Sequence, residues 1–370
     1  MRSSLVNKKK NKKAGSESGD VRGLIIAPTR ELAIQILREF EKLSKGKEFH
    51  AFVLSKSLTN KKIVADVIIT TPLRMIHFLK SKELSLDTVE TLILDEADKL
   101  FELGFLEQVD EILAACTNKQ MQRSLFSATI PQQIEDLAKT ILRDPINITI
   151  GSSNAAAETI NQSLIFVGKE EGKLMAIRQI VQEGLLKPPC LIFVQSKERA
   201  KELYQELIYD GIKVDAIHSE RTQTQRDQII KRFRTGNIWV LICTDLMGRG
   251  VDFKGVNCVV NYDLPQSAIS YIHRIGRTGR AGRKGEAITL YTLDDVEYLR
   301  SIANVMKLSG SKLEKWMSDL KKPSTRKKKK LIKNPKKRKR IATTSNFDLK
   351  RAAKKKNVIR QSLKNTEKKL

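Results

Sequence analysis

The chain has 370 residues, 30% of them charged, and a formal net charge of +27. That length exceeds one ordinary core and predicts two domains with tails. No apolar stretch approaches the roughly 20 residues a membrane helix needs, the N-terminus lacks an apolar signal region, and Cys116, Cys190, Cys243 and Cys258 show no paired metal-ligand spacing. Together these argue against a membrane protein, a disulfide scaffold and a zinc module, and for reduced core cysteines in an intracellular protein.

The charge is unevenly placed. Residues 321–370 hold 22 Lys and Arg against Asp348 and Glu367, and residues 1–20 hold six against Glu17 and Asp20, which leaves +3 for everything between. A nearly neutral globular part is therefore expected between two basic tails that bind polyanions through counterion release.

Residues 1–20 are rich in Lys, Ser and Gly and are expected to be disordered. A short buried strand is expected at Gly23–Ala27, followed by a helix opened by Pro28-Thr-Arg-Glu-Leu-Ala33 and running to about Gly46. Strands at Ala51–Ser55 and Asp66–Thr70 follow, and Thr71-Pro-Leu-Arg74 opens another helix. Strand, then Thr, Pro and Arg at a helix start, occurs twice. Free backbone N–H groups with a hydroxyl and an Arg suit a phosphate, although an ordinary cap uses the same residues.

The apolar run Thr91–Leu94 ends in Asp95-Glu-Ala-Asp98. Carboxylates at the C-terminal edge of a buried strand can hold Mg²⁺ or take a proton from a nucleophile. Taken alone, the same pattern serves as a solvated turn capping the next helix. A helix near Leu106–Ala115, a strand Arg123–Phe126 ending in Ser127-Ala-Thr129, and a helix from Gln132 to about Leu142 complete a first α/β domain over 21–150. Residues 151–158 read as a linker.

The alternation restarts over 159–320. Strands are expected at Asn161–Val167, Cys190–Val194, Val214–His218, Val240–Cys243, Val256–Asn261 and Ala287–Tyr291. Helices are expected at Lys173–Glu183, Glu198–Asp210, Gln225–Arg234, Ala268–Ile275 and Asp294–Val305. This rhythm argues mostly parallel sheets covered on both faces. Within it, His273-Arg-Ile-Gly-Arg-Thr-Gly-Arg280 is a dense cationic element. Arg277 and Arg280 are three apart, so helical geometry would send both forks to one side, where they could stabilise a transferring phosphoryl group. A surface patch or plain nucleic-acid contact would use the same residues. Beyond about Leu320 no packed core is expected, and Asn334-Pro-Lys-Lys-Arg-Lys-Arg340 reads either as a nuclear-import signal or as part of a solvated basic tail.

Pro28 through Ala33, Thr71-Pro72, Asp95 through Asp98, Ser127 through Thr129, Leu191-Ile-Phe-Val-Gln-Ser196, Thr244 through Asp252 and His273 through Arg280 together resemble the DEAD-box RNA helicases, over about residues 22–308. The tail and the region around His218–Gln223 resemble the nucleolar branch that serves small-subunit ribosome assembly. The resemblance implies two RecA-like domains, the first incomplete, with ATP and Mg²⁺ between them and single-stranded RNA, such as pre-rRNA, across both. It implies a monomer in the nucleus and nucleolus that meets pre-ribosomal proteins and has no membrane association.

Residue by residue, the resemblance implies that Asp95 and Glu96 handle Mg²⁺ and the attacking water, with Glu96 as general base. Asp98, Ser127, Thr129 and His273 would join the domains, and Arg277 and Arg280 would reach the γ-phosphate. Gly250 and Asp252 would lie near the ribose and phosphates, and Arg249 would help dock the domains. The implied RNA contacts are Pro28, Thr29, Arg30, Thr71, Pro72, Arg74, Gln223, Arg226 and Thr244, gripping phosphates and 2′-OH groups rather than base edges.

The family's Gly-x-Gly-Lys-Thr phosphate loop is absent, Gly15-Ser-Glu-Ser-Gly19 being a flexible linker, and so is its adenine-reading glutamine motif. The chain is therefore expected to begin after both, leaving a slot between strands of the first sheet. Two functions follow: an ATP-dependent RNA helicase in N-terminally shortened form, or a catalytically deficient RNA- or ribonucleoprotein-binding remnant. Val53–Leu58, Leu73 and Gly248 also depart from the family pattern.

Overall fold

The computed structural model describes residues 21–55, 64–150, 155–245, 253, 255–280, 282–311, 313–320, 338, 340, 341 and 354. Short apolar runs bounded by turn residues become strands; in the first sheet the inner ones are buried on both faces, as parallel sheets require, while the edge ones stay partly exposed. Five of them, β1 (Gly23–Ile26), β2 (Ala51–Val53), β3 (Val67–Thr70), β4 (Thr91–Leu94) and β5 (Gln122–Leu125), form a parallel sheet in the order β2-β3-β1-β4-β5.

Because successive side chains alternate across a strand, Leu24 and Ile26 face one layer and Ile25 the other. The first layer collects Ile68, Leu92, Met75, Phe78, Val109 and Ile112; the second collects Val67, Ile69, Leu32 and Ala33. Each large side chain buried this way contributes about 1.5–3 kcal/mol.

Six further strands form a second parallel sheet, ordered β6-β11-β10-β7-β9-β8. They are β6 (Ile160–Phe166), β7 (Cys190–Val194), β8 (Val214–Ile217), β9 (Val240–Thr244), β10 (Cys258–Asn261) and β11 (Gly285–Tyr291). All four cysteines are buried thiols. Burial pushes the Cys116 thiol up to about 11, so it is an inert core group.

The structure departs from the sequence expectations at several points. A six-residue helix, α3 (Ala97–Glu102), follows β4 directly; α1 (Arg30–Leu43) and α2 (Pro72–Lys80) precede it. The slot expected inside the first sheet is not there, because pairing is unbroken from β2 to β5. The sheet ends at β5, whose outer edge has no strand partner among the described residues. Beside that end, Phe126 is 56% exposed, and the alternating Ile146, Ile148 and Ile150 project into solvent.

Within the expected linker, 151–154 lie outside the described residues, and Ala156 is packed: its N–H donates to Ser309 Oγ at 2.9 Å. The basic tail is not wholly separate from the core either, since Arg338 and Ile341 are seated on the second sheet's unit. Residues 1–20, with the Gly15–Gly19 linker, and 246–252, with Gly248, Arg249, Gly250 and Asp252, lie outside the described residues.

Candidate functional site

β4 delivers its carboxylates from inside the first sheet, between β1 and β5, with Leu94 level with Ile26 on one side and Leu125 on the other. Asp95 turns back on the chain, its Oδ1 accepting the Glu96 N–H at 2.9 Å. Glu96 takes a left-handed conformation, φ 46° and ψ 54°, as the cap of α3. A side chain there costs of order 1–3 kcal/mol, and such positions persist where the surroundings over-determine them.

Burial, with the charges of Glu96 and Asp98 beside it, pushes the Asp95 carboxyl above its usual range, against the pull of the Glu96 N–H. Glu96 Oε2 is buried without a hydrogen-bond partner. An orphaned carboxylate oxygen next to a half-buried acid is a place for a cation or an ordered water.

Asp98 is the joint of the site. Its Oδ2 accepts from Thr129 N (3.2 Å) and Thr129 Oγ1 (2.5 Å) and lies 2.8 Å from His273 Nε2 of the second unit. Its Oδ1 accepts from Lys99 N at 3.0 Å. The Ser127 hydroxyl donates to Thr129 O at 2.7 Å and accepts the Asp98 N–H at 3.3 Å. Burial raises the Asp98 carboxyl, but the His273 and Thr129 hydrogen bonds and the charges of His273 and Lys99 outweigh it and hold the group at about 2.

His273 stands on an eight-residue helix, Ala268–Ile275, capped by Ser267. The helix ends there, so Arg277 and Arg280 are not related by helical spacing. Instead each folds back, Arg277 Nε donating to His273 O (3.2 Å) and Arg280 Nε to Gly276 O (2.8 Å). The three arginines of this run have different fates. Arg277 is buried and brings Nη2 to 3.9 Å from Glu96 Oε1, whereas Arg280 is exposed. Arg274, to which the sequence assigned no role, is buried: its guanidinium grips Asp245 in a two-pronged pair (2.6 and 2.8 Å), donates to Asp263 O, and lies over the Phe193 ring. Burial sets Arg280 apart and partners separate Arg274 from Arg277, neither of which a run of arginines in sequence discloses.

A second group gathers at helix starts. Parallel register puts Thr70 beside Ile26, so the N-termini of α1 and α2 emerge side by side. Thr29 caps α1, accepting the Leu32 N–H at 3.3 Å, while the Thr71 hydroxyl makes no cap bond. Pro28 and Pro72 are buried, and Arg30 is exposed. From the second unit, Gln223 and Arg226 stand at the start of the helix Gln223–Arg234, held together at 2.5 Å, and Arg226 meets Glu31 of α1 at 3.5 Å. Thr244 ends β9. Glu31, absent from the sequence expectations, thus helps bring the two sets of helix starts together.

The family model for DEAD/DEAH box helicases matches residues 4–137, and that for the helicase conserved C-terminal domain matches 172–282. The chain belongs to the DEAD/DEAH box helicases. Over 306 residues it is 59% identical to the probable ATP-dependent RNA helicase ddx52 of Dictyostelium discoideum, covering 81% of this chain and 46% of that protein. Over 348 residues it is 51% identical to the ATP-dependent RNA helicase ROK1 of Saccharomyces cerevisiae, covering 90% of this chain and 62% of that one. The chain therefore spans less than two thirds of the length of these curated relatives.

Among solved structures it resembles S. cerevisiae Dbp5 bound to RNA and ADP BeF3, with a TM-score of 0.71 and 30% identity over 86% of this chain and 83% of that one. It is similar to Mss116p bound to ssRNA and AMP-PNP at a TM-score of 0.70 and 25% identity, covering 86% and 68%. These likenesses establish two RecA-like parallel-sheet units. Against a Dbp5 variant bound to Nup159, Gle1, IP6 and ADP the TM-score is 0.52 at 28% identity.

Proposed function

We propose that this chain carries the core of an ATP-dependent RNA helicase, coupling RNA-stimulated ATP hydrolysis to local opening of RNA duplexes or ribonucleoprotein. The observation that carries the reading is the Asp98–Thr129–His273 joint, which holds Glu96 of one unit and Arg277 of the other within 3.9 Å. None of these groups is needed together for binding RNA alone.

Asp95 and Glu96 suit a hydrated divalent cation: one is a half-buried acid and the other has an orphaned oxygen. Bound ATP and Mg²⁺ would supply the phosphoryl group that is transferred to water. Glu96 Oε2 is placed to orient that water and accept its proton. Arg277, seated on the second unit, adds positive charge only while the joint is made, so closure and catalysis are linked. At the same C-terminal edge of the first sheet as Asp95, Thr29, Arg30, Thr71 and Arg74, with Pro28 and Pro72 shaping the helix starts, join Gln223, Arg226 and Thr244 of the second unit as donors suited to a sugar–phosphate backbone. Arg280, Gly250 and Asp252 belong to the nucleotide side of this reading.

By the resemblance of the tail and the His218–Gln223 region to the nucleolar branch of the family, the proposed substrate is pre-rRNA in small-subunit assembly. The chain acts as a monomer among pre-ribosomal proteins in the nucleus and nucleolus. The domain limits that go with this reading are 21–150 and 159–320.

A second reading has one observation behind it. The 370 residues contain no Gly-x-Gly-Lys-Thr, so no such loop offers a Lys and a hydroxyl to the phosphates. On this reading the chain binds RNA without hydrolysing ATP. RNA-stimulated ATP hydrolysis by the chain and its Glu96→Gln variant, at matched ionic strength, separates the two. Turnover abolished by the substitution supports the helicase; RNA bound with no turnover supports the binding protein.

A further inference from the structure

The basic run near Arg340 has no part in the site above, and the structure gives part of it a seat. Arg338 is buried on the second unit, with Nη2 at 2.6 Å from Asp295 Oδ1, Nη1 at 3.2 Å from Glu170 Oε2, and Nε at 3.5 Å from Asp263 Oδ1. Three residues on, the Ile341 N–H donates to Glu202 Oε2 at 2.7 Å, and its side chain, 9% exposed, joins the apolar cluster of Leu174, Ile177 and Leu203. Arg340 lies outside, 3.6 Å from Glu202.

Charge explains why the seat needs an occupant. Asp263 is fully buried and already holds Lys173 (2.9 Å) and Arg199 (2.7 Å), while Glu170 pairs with the same two cations. Three carboxylates, with Asp295 the third, thus face two cations of the unit itself. Asp295 accepts from the Thr292 N–H and hydroxyl, both at 2.9 Å, but these carry no full charge; a buried carboxylate short of counter-charge is costly, and Arg338 supplies the further positive charge.

We infer that the pocket of Glu170, Asp263 and Asp295 is a docking site for the chain's own C-terminal basic segment, with Arg338 as its cation and Ile341 as its apolar anchor. Docking withdraws Arg338 from the charge the tail offers to a polyanion. The nominal charge of the tail therefore overstates what RNA meets until the segment is released. This last consequence rests on the RNA-binding reading, whereas the docking itself does not.

The test uses the full chain, its Ile341→Ser variant, which removes the anchor without changing charge, and Arg338→Gln. Hydrogen exchange at the Ile341 amide, which donates to Glu202, should be slow in the parent and at least tenfold faster in both variants. Exchange at the unprotected rate in the parent overturns the docking site, whether or not RNA binds. Affinity for an unstructured single-stranded RNA oligomer is then measured against salt. Each freed phosphate contact steepens the log–log slope by about 0.7, so Ile341→Ser should steepen it by roughly 0.7–1.4. A slope unchanged in Ile341→Ser but flattened in Arg338→Gln would mean that Arg338 already serves RNA, and would refute the withdrawal.

Discussion

Asp98→Asn should destabilise the folded chain by about 2–3 kcal/mol at neutral pH. The carboxyl sits at about 2 in the fold and near 3.9 when unfolded, a difference of roughly two units at about 1.4 kcal/mol each. The group is almost fully buried, so solvent screening takes little of this away. An amide cannot reproduce the arrangement: Oδ2 faces donors from Thr129 and His273, Oδ1 faces the Lys99 N–H, and either orientation of the amide points its NH₂ at a donor.

The folded value is depressed, so the contribution is complete well above pH 4 and is lost as pH falls through about 2, with roughly half left at pH 3. Urea unfolding followed by far-UV circular dichroism from pH 7 to pH 3 measures it. A penalty below about 0.5 kcal/mol, or one that does not shrink on acidification, would refute the assignment of Asp98 as the charged hub of the joint. A double-mutant cycle with His273→Ala isolates the contact between units, expected at about 1.5–3 kcal/mol for a charge-assisted hydrogen bond.

Asp263→Asn leaves Lys173 and Arg199 short of their buried anion and should cost about 3–5 kcal/mol in the second unit, read by urea unfolding through the fluorescence of Trp239. Burial, with Arg221 and Lys201 nearby, lowers the His218 pKa, so the fold loses stability as pH drops below about 6.5; His218→Gln should flatten the stability profile between pH 7 and 5, and an unchanged profile would exclude this cause. A Cβ at Gly285 would lie 2.3 Å from Thr278 Oγ1 and 2.5 Å from Gly279 N, so Gly285→Ala should cost about 1–3 kcal/mol by displacing the turn that carries Arg277 and Arg280, visible as a lowered Tm and a raised KM for ATP if the chain turns over. Truncation after Leu320 should weaken RNA binding and flatten its salt dependence, and it should also lower the Tm of the second unit because Asp295 and Asp263 lose Arg338; an unchanged Tm would contradict the seating of that residue.

Sequence by itself determined the two runs of alternating strands and helices, since apolar periodicity and breaker residues are local properties of the chain. It also isolated Asp95 through Asp98, Ser127 through Thr129 and His273 through Arg280, because clusters that are each ambiguous alone occur together in one order along the chain. Tertiary structure decided what local pattern cannot carry. Strand order closed the expected slot and moved the open edge to β5, because pairing partners are distant in sequence. Burial and long-range partners sorted Arg274, Arg277 and Arg280, which look alike as a string, into a clamp, a reach toward Glu96 and an exposed cation. Long-range charge balance drew Arg338 out of a tail whose composition spoke only of solvation: the carboxylates it neutralises lie 43 residues away at the nearest and 168 at the farthest.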